Sequence, residues 1–250
     1  MKKKMLIYFT FLLVLGFTPD KPTIRIFLAG DSTMSIKEAR NYPETGWGMP
    51  FVFFWDSSVS VINLAKNGRS TKTFINEGLW NRILQDAREG DFILIQFGHN
   101  DEVPTKVNSY TTPDTFQLNL TRFISEARQK KAIPVLCSPV ARRKFTTTGE
   151  LESTHALYSK LVKEVAIREK VAFIDLDAKS QALYRQFGVE QSKLLFLQLQ
   201  PGEHPNYPEG KEDNTHFNEL GARLIAQIML KELLAAFPVL ADRVVKKPGR

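Results

Sequence analysis

Five short runs of apolar residues recur along the chain and define its predicted core. Each run is continuous rather than alternating and is rich in Ile, Val, Leu and Phe, which is typical of parallel strands covered on both faces. The predicted strands are Ile24–Ala29, Val59–Ala65, Phe92–Phe97, Ile133–Ser138 and Val171–Leu176. The pattern therefore predicts a parallel sheet that is buried between two other layers.

Stretches with apolar residues at helical spacing separate these strands. The predicted helices are Thr73–Ala87, Pro113–Lys131, Ser153–Lys170 and Phe217–Phe237. Because strands and helices alternate, we expect an α/β fold with a doubly wound parallel sheet. The polar, proline-rich stretch Leu197–Asn214 is predicted to be a long irregular loop. No repeat or linker divides the sequence, so residues 21–250 are predicted to form a single domain.

The first 20 residues are predicted to be a secretory signal peptide instead of a part of the fold. Lys2, Lys3 and Lys4 precede an apolar stretch from Met5 to Phe17, which is shorter than the roughly 20 residues of a membrane-spanning helix. An uncleaved anchor stays an alternative, because no clear cleavage pattern precedes residue 20. We expect a secreted or periplasmic protein with no stable membrane association once the leader is cleaved.

The net charge of +7 does not indicate a strongly basic folded domain. Three of the positive charges are the leader's lysines, and four more lie in the C-terminal tail, so the body between them is close to neutral. The basic tail residues are Arg243, Lys246, Lys247 and Arg250. No basic stripe is interleaved with aromatic residues, so nucleic acid is not an expected partner. The single cysteine, Cys137, excludes an intramolecular disulfide.

Polar blocks follow the first three predicted strands, and a fourth block precedes the last predicted helix. They are Gly30-Asp31-Ser32-Thr33, Asn67-Gly68-Arg69-Ser70, Gly98-His99-Asn100-Asp101 and Asp213-Asn214-Thr215-His216. Taken alone, each block also fits an ordinary turn or helix cap. Ligands of open parallel sheets bind beyond the carboxyl ends of the strands, however, and the topology gathers the four blocks there. Together they supply every role of an acyl-transfer site.

Ser32 is the candidate nucleophile. A serine needs a base to lose its proton near neutral pH, and that base needs a carboxylate to fix its tautomer. Asp213 and His216 stand three residues apart at a predicted loop–helix junction, from which both can turn toward one point. Gly68 lets a backbone N–H approach a developing negative charge, and Asn100 offers a side-chain amide for the same purpose.

In these four blocks, and in this order, the sequence resembles the SGNH (GDSL) hydrolases, over about residues 23–237. The first three blocks are most similar to those of the rhamnogalacturonan acetylesterases (carbohydrate esterase family 12), which deacetylate pectin. The resemblance implies a flavodoxin-like α/β/α sandwich with a parallel five-stranded sheet. It also implies a serine esterase that forms an acetyl-enzyme intermediate and needs no metal or other cofactor.

The resemblance assigns a role to each matching residue. Ser32 corresponds to the nucleophile, His216 to the general base and Asp213 to the acid that orients it. The backbone N–H groups of Ser32 and Gly68 and the side chain of Asn100 correspond to the oxyanion hole. The implied partner is an acetylated polysaccharide or oligosaccharide. Neither the oligomeric state nor the deacetylated hydroxyl follows from the sequence.

Three alternatives to a pectin acetylesterase remain. The first keeps the triad but makes the protein a lipase, a lysophospholipase or a xylan acetylesterase of the same superfamily. The second is a non-catalytic carbohydrate-binding protein on the same fold. The third is a metal-dependent hydrolase, which leaves Ser32 and Gly68 without a role. Its ligands would be His99, Asp101, Asp213 and His216.

Other conspicuous residues have structural interpretations. His99 and Asp101 are expected to brace the loop after the third strand. His155 is expected at the surface or at a helix cap. Trp47 is predicted to lie on a helix packed against the sheet, or alternatively to line a sugar site. His204, on the predicted long loop, has contact with substrate as its alternative role.

Overall fold

The computed structural model describes residues 22–246, and five parallel strands lie at its centre. They are β1 Ile24–Gly30, β2 Val59–Asn63, β3 Phe92–Gln96, β4 Ile133–Cys137 and β5 Ala172–Ile174. Their order in the sheet is β2-β1-β3-β4-β5, and every neighbouring pair is parallel. The predicted five-stranded parallel sheet is confirmed, and the strand ends differ from the predicted ones by at most two residues.

Helices cover both faces of this sheet. They are α1 Gly48–Phe51, α2 Thr71–Asn76, α3 Leu79–Asp86, α4 Pro113–Gln129, α5 Ala156–Glu169, α6 Leu176–Gln191 and α7 Glu219–Ala236. Short 3-10 turns span residues 39–41, 52–54, 192–195 and 238–243. Alternate residues of β1 face opposite layers. Ile26 and Leu28 pack with α1, α6 and α7, whereas Phe27 and Ala29 pack with α2, α3, α4 and α5. The result is the implied three-layer α/β/α sandwich.

Two helical regions differ from the prediction. The single helix predicted over Thr73–Ala87 is wrong, because Gly78 has a φ of +71° and separates α2 from α3. Helix α6 is not predicted at all, and it begins at Leu176, which is predicted to belong to the fifth strand. Asp175 caps this helix by accepting a hydrogen bond from the Ala178 N–H at 3.1 Å.

A second, antiparallel sheet stands apart from the main one. Its strands are β6 Phe196–Leu199 and β7 Lys211–Phe217, which we call the ribbon. The irregular loop predicted over Leu197–Asn214 is therefore wrong in part, and so is the loop–helix junction predicted for Asp213 and His216. Both residues lie on β7. The polar sequence of β7 shows no apolar alternation, so pairing with β6 defines this strand rather than a local pattern.

The predicted signal peptide, residues 1–20, lies outside the described residues. Among the helices that residues 22–246 form, none combines the length and the apolar character needed to cross a bilayer.

Candidate active site

The turn after β1 holds Ser32 at the carboxyl edge of the sheet, at the point where the strand order reverses. Gly30 ends β1 in close contact with β3, since a Cβ there would lie 2.9 Å from the Gln96 carbonyl oxygen. Asp31 then accepts hydrogen bonds from the Thr33 N–H and hydroxyl at 2.9 and 2.8 Å. These contacts fix the conformation of the turn that presents Ser32.

His216 and Asp213 complete a hydrogen-bonded line that starts at Ser32. The Ser32 hydroxyl lies 2.9 Å from His216 Nε2, and His216 Nδ1 lies 2.8 Å from Asp213 Oδ2. The other oxygen of Asp213 accepts hydrogen bonds from the Thr215 and His216 N–H groups at 2.7 and 2.9 Å. With Nδ1–H donated to the carboxylate, Nε2 is free to accept the serine proton. The arrangement is that of a nucleophile, a base and an orienting acid.

The carboxyl group of Asp213 is held in its ionised form. Partial burial raises its pKa, but the hydrogen bond and charge of His216 and the two backbone N–H groups outweigh that effect. The pKa of Asp213 therefore lies well below its usual range. An ionised partner is what a base needs if it is to become an imidazolium during the reaction.

The second and third polar blocks lie at the same edge of the sheet. The Lys66 N–H donates to the Gly30 carbonyl at 3.1 Å, so the chain that leaves β2 continues beside the nucleophile turn. Gly68 has a φ of +77° and open space where a side chain would be. Asn100 donates from Nδ2 to the Arg69 carbonyl at 3.0 Å, which joins the two blocks. Oxyanion binding by Ser32, Gly68 and Asn100 stays a prediction that this placement suits.

A buried lysine, Lys37, joins the nucleophile turn to the second block, and no pattern in the sequence predicts it. Its ammonium donates to the Ser32 carbonyl at 2.5 Å and to Asn67 Oδ1 at 2.8 Å, and it pairs with Glu44 at 2.7 Å. Burial lowers the pKa of Lys37, while the charge of Glu44 opposes this shift. Lys37 stands in an ordinary polar stretch of the sequence, where no pattern marks it as buried.

Two histidines are buried behind Asn100, and one of them corrects the prediction. The ring of His155 lies 4.2 Å from that of His99, and its Nδ1 lies 2.8 Å from Glu102 Oε1. His155 precedes α5 at the cap position, but its side chain is buried and makes no capping bond. The surface position expected for it is wrong, because the third block covers its ring.

Trp47 also lies in the interior. It is fully buried, and its Nε1 donates to Gln96 Oε1 at 2.7 Å. It precedes the short helix α1 as its cap residue. The alternative in which Trp47 lines a sugar site is therefore wrong, because no face of the indole reaches the surface.

Asp101 anchors the third block to the start of α2, as a bracing residue should. One of its oxygens accepts hydrogen bonds from the Thr71 N–H, the Thr71 hydroxyl and the Thr111 hydroxyl at 2.9, 2.6 and 2.9 Å.

The alternative metal site, with His99, Asp101, Asp213 and His216 as its ligands, is not assembled. In the described part of the chain, no three or more His, Cys, Asp or Glu side chains are grouped to hold an ion.

Asp101→Asn is expected to change how stability depends on pH. Burial raises the pKa of Asp101 to about 7, although the hydrogen bonds of Thr71 and Thr111 lower it. Between about pH 4 and the folded pKa, the folded protein keeps a proton that the unfolded chain has released, so stability falls as the pH rises. Between pH 5 and pH 8 the wild type should lose about 2.5 kcal/mol of its free energy of unfolding through Asp101, and the variant should not show this loss.

Urea unfolding at the two pH values measures this difference. Asp86→Asn is the control, since Asp86 is an exposed carboxylate at the end of α3. If wild type and Asp101→Asn changed in parallel with pH, Asp101 would not carry a raised pKa.

The sequence is similar to those of known proteins. The sequence profile of the GDSL-like lipase/acylhydrolase family matches residues 28–224. The chain is 43% identical to the rhamnogalacturonan acetylesterase RhgT of Bacillus subtilis over 230 residues, which are 92% of this chain and 98% of RhgT. It is 34% identical to the probable rhamnogalacturonan acetylesterase YesY of the same organism over 224 residues, which are 89% of this chain and 98% of YesY.

Solved structures share the fold. The YxiM protein of Bacillus subtilis matches with a TM-score of 0.73 and 27% identity. The match covers 86% of this chain and 57% of the YxiM chain. The acetylxylan esterase Axe2 of Geobacillus stearothermophilus has a TM-score of 0.59 at 14% identity, over 85% of this chain and 94% of that one, and this similarity shows the fold alone. The family resemblance noted in the sequence is confirmed: the chain belongs to the GDSL-like lipase/acylhydrolase family.

Proposed function

We propose that this protein is a serine esterase that removes O-acetyl groups from rhamnogalacturonan. The observation that carries the chemistry is the line from Ser32 through His216 to Asp213, with contacts of 2.9 and 2.8 Å. The relationship to RhgT supports the substrate, because it covers nearly the full length of both chains. A binding protein has no need of such a hydrogen-bonded line, so catalysis is favoured over carbohydrate binding alone.

The first half of the reaction forms an acetyl-enzyme. His216 Nε2 takes the proton of Ser32 as Oγ attacks the carbonyl carbon of the acetyl ester. The carbonyl oxygen becomes an oxyanion, which accepts hydrogen bonds from the N–H groups of Ser32 and Gly68 and from Asn100. When the tetrahedral intermediate collapses, the bond to the sugar oxygen breaks, and His216 returns the proton to that oxygen.

The second half releases acetate. A water molecule gives a proton to His216 and attacks the acetyl carbon, and the same donors hold the second oxyanion. Collapse then breaks the bond to Ser32 Oγ, which recovers its proton from His216. Asp213 stays ionised throughout and stabilises the imidazolium, which agrees with its lowered pKa.

Export forms part of this proposal. It is supported by the pattern of Lys2–Lys4 followed by the apolar stretch from Met5 to Phe17. A secreted or periplasmic enzyme meets cell-wall polysaccharide directly, so the location and the substrate are consistent with each other.

Acetate release from a panel of esters tests the substrate. The panel contains acetylated rhamnogalacturonan, acetylated xylan and p-nitrophenyl esters of increasing acyl length, with Ser32→Ala protein as the blank. We expect the highest kcat/KM on the pectic polymer and a decline beyond the acetyl ester. A preference for xylan or for long acyl chains would keep the triad and contradict the substrate. Equal release by the blank would contradict the esterase itself.

A further inference from the structure

The side-chain amide of Asn100 is held from two sides. Its Nδ2 donates to the Arg69 carbonyl at 3.0 Å, and its Oδ1 accepts a hydrogen bond from the Lys106 ammonium at 3.1 Å. A carbonyl can only accept and an ammonium can only donate, so the two contacts permit a single orientation of the amide. One of the two Nδ2 hydrogens is used by Arg69. The other is left for a ligand, although Asn100 as a residue is only 5% exposed.

Lys106 is fixed in the backbone but solvent-exposed in its side chain. Its carbonyl accepts hydrogen bonds from the Ser109 and Tyr110 N–H groups at 2.9 and 2.8 Å, and its own N–H donates to the Val103 carbonyl at 2.9 Å. Within residues 22–246 its ammonium forms no ion pair with a carboxylate, and Asn100 Oδ1 is its hydrogen-bond partner. The positive charge of Lys106 is therefore directed onto the amide of Asn100 and is not neutralised by a neighbouring carboxylate.

We propose that Lys106 is a positioning residue for ester hydrolysis that acts through Asn100. Its hydrogen bond keeps the amide oxygen turned away from the reacting carbonyl, so that the free Nδ2–H points to the oxyanion. Its charge also polarises the amide, which makes that N–H a stronger donor. This inference rests on the proposed function, because it requires Asn100 to bind the oxyanion.

A second lysine on the same face provides a matched control. Lys72 is half-buried, and its ammonium donates to the Val107 carbonyl of the same loop at 3.2 Å. It does not touch Asn100. If Lys106 only held the loop in place or only attracted an acidic polymer, replacement of Lys72 would have a similar effect.

Kinetics on p-nitrophenyl acetate, a small neutral ester, test the role of Lys106. We expect Lys106→Met to lower kcat by about tenfold, the cost of one charge-assisted hydrogen bond in the transition state, with KM within about twofold of the wild type. Lys106→Arg keeps the charge and a donor, so it should recover most of the lost activity. Lys72→Met should leave both constants unchanged.

A double-mutant cycle shows whether Lys106 acts through Asn100. Asn100→Ala alone should lower kcat by about a hundredfold or more, and adding Lys106→Met to it should cost nothing further. An undiminished effect of Lys106→Met in the Asn100→Ala background would overturn the proposal. A rise in the KM of Lys106→Met on polymeric substrate, with its kcat on the neutral ester unchanged, would also overturn the proposal. A loss in Asn100→Ala with no loss in Lys106→Met would overturn only the role of Lys106. Full activity of Asn100→Ala would overturn the roles of Asn100 and Lys106 and leave the esterase function in place, whereas hydrolysis that does not depend on Ser32 would contradict the esterase function itself.

Discussion

His216→Ala is expected to lower kcat for acetyl ester hydrolysis by about five to six orders of magnitude. The Ser32 hydroxyl lies 2.9 Å from His216 Nε2, and without this base it stays protonated and is a weak nucleophile. The leaving sugar oxygen also loses its proton donor. Asp213 and His216 lie on the same strand, β7. Removal of the imidazole leaves the backbone hydrogen bonds of the ribbon in place, so the free energy of unfolding should change little.

Non-additivity makes this prediction specific to a triad. Ser32→Ala added to His216→Ala should lower kcat no further, since either substitution alone already removes nucleophilic attack. Asp213→Asn should cost about ten thousandfold, because an amide favours the wrong histidine tautomer. His204→Ala is the control: its Nδ1 accepts a hydrogen bond from the Asn206 N–H within its own loop, and activity on p-nitrophenyl acetate should persist. Independent, additive losses from Ser32 and His216 would contradict the shared role.

Gly46→Ala is expected to destabilise the protein by at least about 3 kcal/mol and to lower kcat by about a hundredfold. A Cβ at Gly46 would lie 2.1 Å from the Ser35 carbonyl oxygen and 2.6 Å from the Met34 carbonyl carbon. Both are backbone atoms, so one of the two segments has to move. The Trp47 N–H also donates to the Thr33 carbonyl at 2.8 Å, which ties the displaced segment to the turn that carries the nucleophile.

Urea unfolding and kcat on p-nitrophenyl acetate measure the two effects. Gly202→Ala adds the same methyl group where the space is open and φ is +78°, so it should cost only about 1 kcal/mol for its backbone conformation and leave kcat unchanged. Equal unfolding midpoints for the two variants would show that the contact between the two segments near Gly46 is not tight.

The main sheet follows from the sequence because burial on both faces leaves a strong local signal. A strand such as Phe92–Gln96 is apolar at nearly every position, and no exposed helix shares that pattern. The positions of Ser32, Gly68 and Asn100 then follow from topology, since the carboxyl ends of parallel strands meet at one edge. The sequence thus predicts which residues meet, although not the distances between them.

Local sequence patterns do not predict the ribbon or the buried polar groups. Strand β7 has the sequence KEDNTHF and forms through its partner β6, which is a long-range pairing. Lys37 and His155 are buried because neighbouring segments close over them, and in the sequence they look like surface residues. Helix α6 alternates weakly between apolar and polar residues, and its end is broken at Gly188, where φ is +76°.

The ribbon divides the triad between two independently hydrogen-bonded sheets. Asp213 and His216 both lie on β7, whereas Ser32 follows β1 at the carboxyl edge of the main sheet. Any shift of one sheet against the other preserves the contact between acid and base and changes the contact between base and nucleophile. A cooperative opening confined to the ribbon would therefore abolish turnover while the main sheet stays folded. Enzymatic activity in this protein reports the docking of two substructures and not only the integrity of its core.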